Sequence, residues 1–159
     1  MSVAGAMKKT VLGMLAIAAL LMTVSSATSF GQAAKEKSLY DRLGGKKAIT
    51  AVVDEFVSRV AADKRINSFF AATASDPARL NKFKGNLVDQ ICQAAGGPCK
   101  YMGKDMKSAH MGMGVGSADF DALVEDLVGA LDKFKVGAHE KEQLLGALGP
   151  MKADIVEKK

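Results

Sequence analysis

His110 is one of only two histidines in this 159-residue chain, and its type and setting suggest metal binding. It ends the segment KDMKSAH at 104–110, directly before a stretch in which three glycines alternate with other residues. Because imidazole is the usual protein ligand for haem iron, His110 is a candidate axial ligand. A lone histidine is more often a surface or core residue, so the rest of the chain must decide. The other histidine, His139, lies between Ala138 and Glu140 at the start of a predicted helix, where we expect a surface position.

Cys92 and Cys99 are the only cysteines and flank six residues. In an oxidising compartment two such neighbours can pair, which would pin the end of a helix to the loop that follows it. Two free thiols are the alternative. The chain has no Cys-x-x-Cys-His motif, so attachment of a c-type haem is not indicated.

The elements that must position these residues begin after residue 33, because residues 1–33 have the layout of a secretory signal. Lys8 and Lys9 precede an apolar run at 11–24, and small residues follow it. We expect cleavage after Ala33, with Ala27 as the competing site; a retained membrane anchor is the alternative. The mature chain is then exported, most simply to a bacterial periplasm, with no stable membrane association.

The mature chain is long enough for one domain with its own core. We assign residues 34–37 to a short extension and 38–159 to the domain. The formal net charge of +5 falls to +3 once the two lysines of the signal are removed. That charge is too small and too evenly spread to indicate nucleic-acid binding.

The apolar spacing of the mature chain predicts helices throughout and no strand, so the fold class is all-α. Ser38 is the expected cap of a short helix that ends at Gly44-Gly45, and Asp76-Pro77 begins a longer one. We expect Ser117 to cap a later helix and Pro150 to kink the last one, because proline lacks an amide proton. The helical faces and short helical segments are predicted at 49–60, 80–91, 106–111, 120–134 and 144–155.

Five motifs in this order resemble the group I truncated haemoglobins. They are LYDRLGG at 39–45, Phe-Phe at 69–70, Gly-Gly-Pro at 96–98, Tyr101, and Met106-x-x-Ala109-His110. The resemblance covers about residues 38–156. It implies a two-over-two helical sandwich around one haem b, in which His110 is the iron ligand.

The resemblance also assigns the surroundings of the haem. One nitrogen of His110 would bind iron, and the other would donate a hydrogen bond to a backbone carbonyl one turn back, near Met106. Phe70 matches the phenylalanine that packs on the haem face, and Lys82 a basic position near a propionate, where an exposed lysine is the alternative. Four residues match positions on the proximal side and at the haem edge, with ordinary core packing as the alternative: Tyr101, Met106, Val115 and Phe120.

The distal side departs from the family pattern. Members usually have a tyrosine where this chain has Val57, and often a glutamine where it has Leu87. The face toward iron should therefore carry Val57, Phe83 and Leu87, with Asn86 as the one polar side chain in reach. We expect an open sixth iron position that retains O₂ poorly and tolerates NO and CO.

The primary hypothesis is a protein that binds diatomic gases as carrier, scavenger or sensor. The alternative is a nitric oxide dioxygenase that converts NO and O₂ to nitrate, which would need a reductant that the sequence does not identify. A peroxidase activity is weaker still, because no distal group resembles a positioned acid or base. The third hypothesis is a helical interaction module without haem, against which His110 and Phe70 both count.

Overall fold

The structure is a computed structural model that describes residues 36–158. The predicted signal peptide at 1–33 lies outside the described residues, as does the first half of the predicted extension. Within the described range the chain forms eight α-helices and two 3-10 segments. The helices are α1 (Leu39–Arg42), α2 (Gly45–Ala62), α3 (Ala71–Ala74), α4 (Pro77–Ala94), α5 (Met106–His110), α6 (Ser117–Lys133), α7 (Ala138–Leu148) and α8 (Lys152–Ile155); the 3-10 segments are Asn67–Phe70 and Gly149–Met151.

No strand occurs in the described residues, where the only β feature is an isolated parallel bridge between Gly116 and Lys158. The predicted all-α class is therefore confirmed. In the same range, none of the helices combines the length and the hydrophobicity needed to cross a bilayer.

Capping side chains begin three of the eight described helices, namely α1, α4 and α5. Asp76 precedes α4, and its Oδ1 accepts the amide hydrogens of Ala78 at 2.9 Å and Arg79 at 3.3 Å. Ser38 caps α1 as predicted. The predicted cap of α6 was wrong, because Gly116 is the N-cap and Ser117 the first helical residue. The cause is Asp119, whose carboxylate accepts the amide hydrogen of Gly116 at 2.8 Å and so begins the helix one residue earlier than the serine suggested.

The predicted last helix is interrupted at Pro150, as expected. The 3-10 segment Gly149–Met151 separates α7 from α8. Proline cannot donate a hydrogen bond to the preceding turn, so the regular helix cannot continue through it.

The main core lies where α2 packs against both α4 and α6, with α7 packing against α4. A second, smaller cluster is separate from it and contains Val115, Phe120 and Ile155. Apolar residues of α2, α4, α6 and α7 are buried in the main core: Ile49, Val52, Val53, Phe56, Val60, Val88, Ile91, Leu127, Leu131 and Leu144. Helical periodicity alone had grouped most of these residues.

Cys92 and Cys99 form a disulfide, which decides between the two states that the sequence left open. The bond ties the last turn of α4 to the loop that leads to α5. Gly97 lies beside it, and a Cβ there would come within 2.4 Å of the Tyr40 ring and 2.7 Å of Sγ of Cys92. Only glycine therefore fits at this crossing.

Candidate functional site

His110 is positioned by the short helix α5, which is capped at its start and holds the imidazole through one hydrogen bond. Asp105 caps α5, and its Oδ1 accepts the amide hydrogen of Ser108 at 2.9 Å. Nδ1 of His110 lies 2.8 Å from the carbonyl oxygen of Met106, one turn back. This is the hydrogen bond that the family resemblance implied.

That contact determines the tautomer of the imidazole. A carbonyl oxygen can only accept, so Nδ1 must carry the hydrogen and donate it. In the neutral ring Nε2 is then left with a lone pair, which is the state that a metal ligand requires. His110 is half-buried, so this lone pair is neither sealed in the core nor fully solvated.

Several residues predicted for the distal side and the haem face lie around a cavity of about 530 Å³. The cavity is bounded by α2, the first 3-10 segment, α3 and the start of α4. Val57, Phe70 and Phe83 all line it, together with Leu80. The rings of Phe70 and Phe83 are in contact, with centroids 5.6 Å apart and planes inclined by 50°. The structure thus brings together three of the residues that the sequence placed on the distal side and the haem face.

Two of the polar residues that line this cavity form an ion pair, in which Nζ of Lys84 lies 2.8 Å from Oδ1 of Asp54. Asn86 and Leu87 lie on α4 and are half-buried, but they do not line the cavity. Leu87 packs instead against the main core. Lys82 is exposed on α4, and no contact of its side chain within the described residues assigns it a role.

The residues predicted for the proximal side divide between the small cluster and the loop before α5. Val115 and Phe120 are buried in the small cluster, and Met106 packs against them. Tyr101 lies in the loop, where its hydroxyl donates to the carbonyl oxygen of Lys104 at 2.7 Å. Burial raises the pKa of Tyr101, and the neighbouring Asp105 raises it further, so the hydroxyl keeps its hydrogen at neutral pH.

Gln90 connects α4, which carries Phe83, with Met106 at the start of α5. The sequence analysis did not identify this residue. Its side-chain amide lies 3.3 Å from the sulfur of Met106 and 3.1 Å from that of Met151. Gln90 follows Phe83 and Leu87 by seven and three residues, so the helical spacing of α4 could have identified it. The contacts join α4 to α5 and to the 3-10 segment Gly149–Met151.

Among the described residues, neither a tyrosine hydroxyl nor a second imidazole belongs to the distal group. The chain has two tyrosines. Tyr101 is held by Lys104, and the Tyr40 hydroxyl accepts the amide hydrogen of Lys46 at 3.0 Å. His139 is exposed on α7 and contacts Gln143, so the predicted surface position is confirmed.

A haem fits these residues in its chemistry. A porphyrin supplies four of the iron ligands, so one unprotonated imidazole nitrogen is enough to complete the attachment. The apolar residues Val57, Phe70, Phe83 and Met106 are only half-buried in the chain alone. A flat apolar ring would remove them from water and would favour binding through the hydrophobic effect.

Comparison with known proteins identifies the family of the chain. The family model described as bacterial-like globin matches residues 38–157. A group 1 truncated haemoglobin, GlbN, of Mycolicibacterium paratuberculosis is 35% identical over 122 residues, which cover 77% of this chain and 86% of that protein. The group 1 truncated haemoglobin of Tetrahymena pyriformis is 32% identical over 70% of this chain and 98% of its own length.

Solved structures give the same result. The truncated haemoglobin of Tetrahymena pyriformis in its Fe(III) form has a TM-score of 0.69 at 29% identity, covering 77% of this chain and all of that one. The 2/2 haemoglobin of Synechococcus sp. PCC 7002, in the cyanomet state with covalently attached haem, also has a TM-score of 0.69 at 30% identity and the same coverage. The predicted two-over-two helical fold is therefore confirmed. Globins of this family bind haem and diatomic gases, and this chain belongs to the bacterial-like globin family as a group 1 truncated haemoglobin.

Proposed function

We propose that this chain is an exported haem b protein that binds O₂, NO or CO at an iron position which no side chain of the protein occupies. The observation that carries the proposal is the hydrogen bond from Nδ1 of His110 to the Met106 carbonyl, because it leaves Nε2 free to bind iron. Bound haem would supply an iron centre with one coordination position open to a diatomic gas.

Different residues of the chain would bind the iron, pack against the porphyrin and line the gas position. His110 would bind the iron through Nε2, and Phe70 and Phe83 would pack against the apolar ring and exclude water. Val57 and Leu87 offer no hydrogen-bond donor where relatives usually have tyrosine and glutamine. A gas that gains negative charge on binding is then less stabilised than one that stays nearly neutral, so O₂ should leave faster than NO or CO.

The test is the optical spectrum of the protein beginning at Ala34, loaded with haem, in ferric, ferrous and ferrous-CO forms. His110→Gly is the test variant, and His139→Gly is the matched control, because it removes the other histidine of the chain. We expect one haem per chain, a five-coordinate ferrous state and a stable CO complex. The spectrum should change in the His110 variant and not in the His139 variant.

Each contrary outcome has a definite meaning. Absence of stoichiometric haem uptake by the wild-type protein would reject the proposal. A six-coordinate ferrous spectrum would show that a side chain occupies the gas position. Nitrate formed from NO and O₂ with repeated turnover, in the presence of a chemical reductant, would assign the alternative activity of nitric oxide dioxygenase.

Export is tested separately, since it rests on residues 1–33. We expect protein recovered from the periplasm of an expressing bacterium to begin at Ala34, or at Thr28 if the competing site is used. A product that keeps Lys8 and Lys9 and stays with the membrane would instead indicate an anchor.

A further inference from the structure

The loop that follows His110 is bound by the carboxylate of Glu157, which lies in the last segment of the described chain. Oε1 of Glu157 accepts the amide hydrogen of Gly112 at 2.6 Å, and Oε2 accepts that of Gly114 at 2.5 Å. Both glycines have positive φ, of +80° and +70°. This conformation turns their amide hydrogens toward one point, where a single carboxylate can bind them both.

The rest of the C-terminal segment is bonded to the same loop. The amide hydrogens of Glu157 and Lys158 are both directed to the carbonyl oxygen of Val115, at 2.8 and 3.1 Å. Val156 packs against the small apolar cluster that contains Val115. The Glu157 carboxylate is therefore placed by backbone bonds and by a neighbour packed on that cluster, although the side chain itself is exposed.

Helix α5 needs such support because it is very short. Its five residues span about 7.5 Å, and an isolated helix of this length is not stable in water. Asp105 fixes its first turn, and the contact of Met106 with Gln90 fixes one side. At the other end the carbonyl of His110 accepts the amide hydrogen of Met113 at 3.0 Å, inside the turn that Glu157 binds.

We propose that Glu157 is a positioning residue for His110, which it holds in place through the glycine turn at 112–114. This inference rests on the proposed function, since it concerns the ligand of the haem iron. Among the described residues no hydrogen bond or ion pair joins Glu157 to the imidazole; the carboxylate restrains the backbone to which the imidazole is attached. Loosening this turn would let His110 move relative to the α4 face and would weaken the hold on haem.

The test compares Glu157→Ala and Glu157→Gln with Glu142→Ala, which removes an exposed glutamate of α7. Haem loss is measured by transfer from the loaded protein to an excess of apomyoglobin. Losing two hydrogen bonds should speed haem loss about two- to tenfold in Glu157→Ala. The glutamine variant should lie between, because its amide replaces one of the two acceptor oxygens by an NH2 group that cannot accept a glycine amide hydrogen. Glu142→Ala should match the wild type.

Two further readouts separate a positioning role from general destabilisation. In the protein without haem, amide hydrogen exchange should increase at residues 106–114 in Glu157→Ala and stay unchanged in α2 and α4. In the ferrous protein, the iron–histidine stretching band should shift or broaden in Glu157→Ala and not in Glu142→Ala.

The outcomes distinguish this inference from the proposed function. If the wild type binds haem through His110 while haem loss, exchange and stretching band are all unchanged in Glu157→Ala, the positioning role is rejected and the gas-binding proposal stands. If the wild type takes up no haem, both are rejected. Uniformly faster exchange throughout the domain would also reject the positioning role, because it would show a global loss of stability.

Discussion

Val57 is the position at which a single added hydroxyl should change the gas chemistry of the site. It lies on α2 with a half-buried side chain and lines the same cavity as Phe70 and Phe83. Relatives usually carry a tyrosine there, and in this chain both tyrosines are bonded elsewhere. We therefore expect Val57→Tyr to introduce a hydrogen-bond donor to bound O₂ where the wild type has none.

The magnitude follows from the contacts available. Val57 lines a cavity of about 530 Å³, so a phenol ring introduced there can extend into the cavity rather than into the core. A hydrogen bond to a group that gains charge is worth about 1.5–3 kcal/mol. Because 1.4 kcal/mol corresponds to a factor of ten, O₂ dissociation should slow by roughly 10- to 150-fold.

The assay is stopped-flow measurement of O₂ and CO dissociation from the ferrous protein. Val57→Phe is the matched control, since it adds the same ring without the hydroxyl. The predicted effect is the ratio between the two variants: large for O₂ and much smaller for CO, which gains less charge on binding. If the tyrosine variant releases O₂ as fast as the phenylalanine variant, this face of α2 does not lie against the bound gas, and the account of the distal side is wrong.

Two further predictions concern stability. Replacing Cys92 and Cys99 together by alanine should lower the free energy of unfolding by about 2–3 kcal/mol through the lost loop closure, measured by urea denaturation; equal stability of the oxidised and reduced wild type would contradict this. Asp126 of α6 has a carboxylate oxygen with no hydrogen-bond partner among the described residues, and burial, then Asp63, raises its pKa. The folded protein then holds this proton more tightly than the unfolded chain, so stability falls as pH rises from the ordinary aspartate pKa through the raised one. Asp126→Asn should remove that fall and be more stable than the wild type at pH 7; a difference independent of pH would refute the assignment.

The helices were predictable because their signals are local. Asp76 followed by Pro77, and Ser38 followed by Asp41, are short-range caps that the structure shows making the expected bonds. The error at Ser117 also arises from a contact over three residues. The Asp119 carboxylate accepts the amide hydrogen of Gly116, so that Gly116 rather than Ser117 is the N-cap of α6. Competition between neighbouring caps is decided by side-chain geometry, which residue type alone does not specify.

The all-helical class could be predicted from the spacing of apolar residues, because that signal is local. The role of His110 and its hydrogen bond to Met106 were implied by the resemblance of five motifs to a known family, and the structure shows that bond. Three features required the folded molecule: the bond between Cys92 and Cys99, the contacts of Gln90 that join α4 to α5 and to the 3-10 segment Gly149–Met151, and the hydrogen bonds of Glu157 to the turn after His110, 43 and 45 residues away. Contacts at such separation arise from how helices pack, and packing depends on the whole set of buried side chains rather than on any local pattern. The residue that could bind iron was therefore identified by the motifs that this chain shares with a known family, whereas the contacts that fix its position were decided only by the tertiary structure.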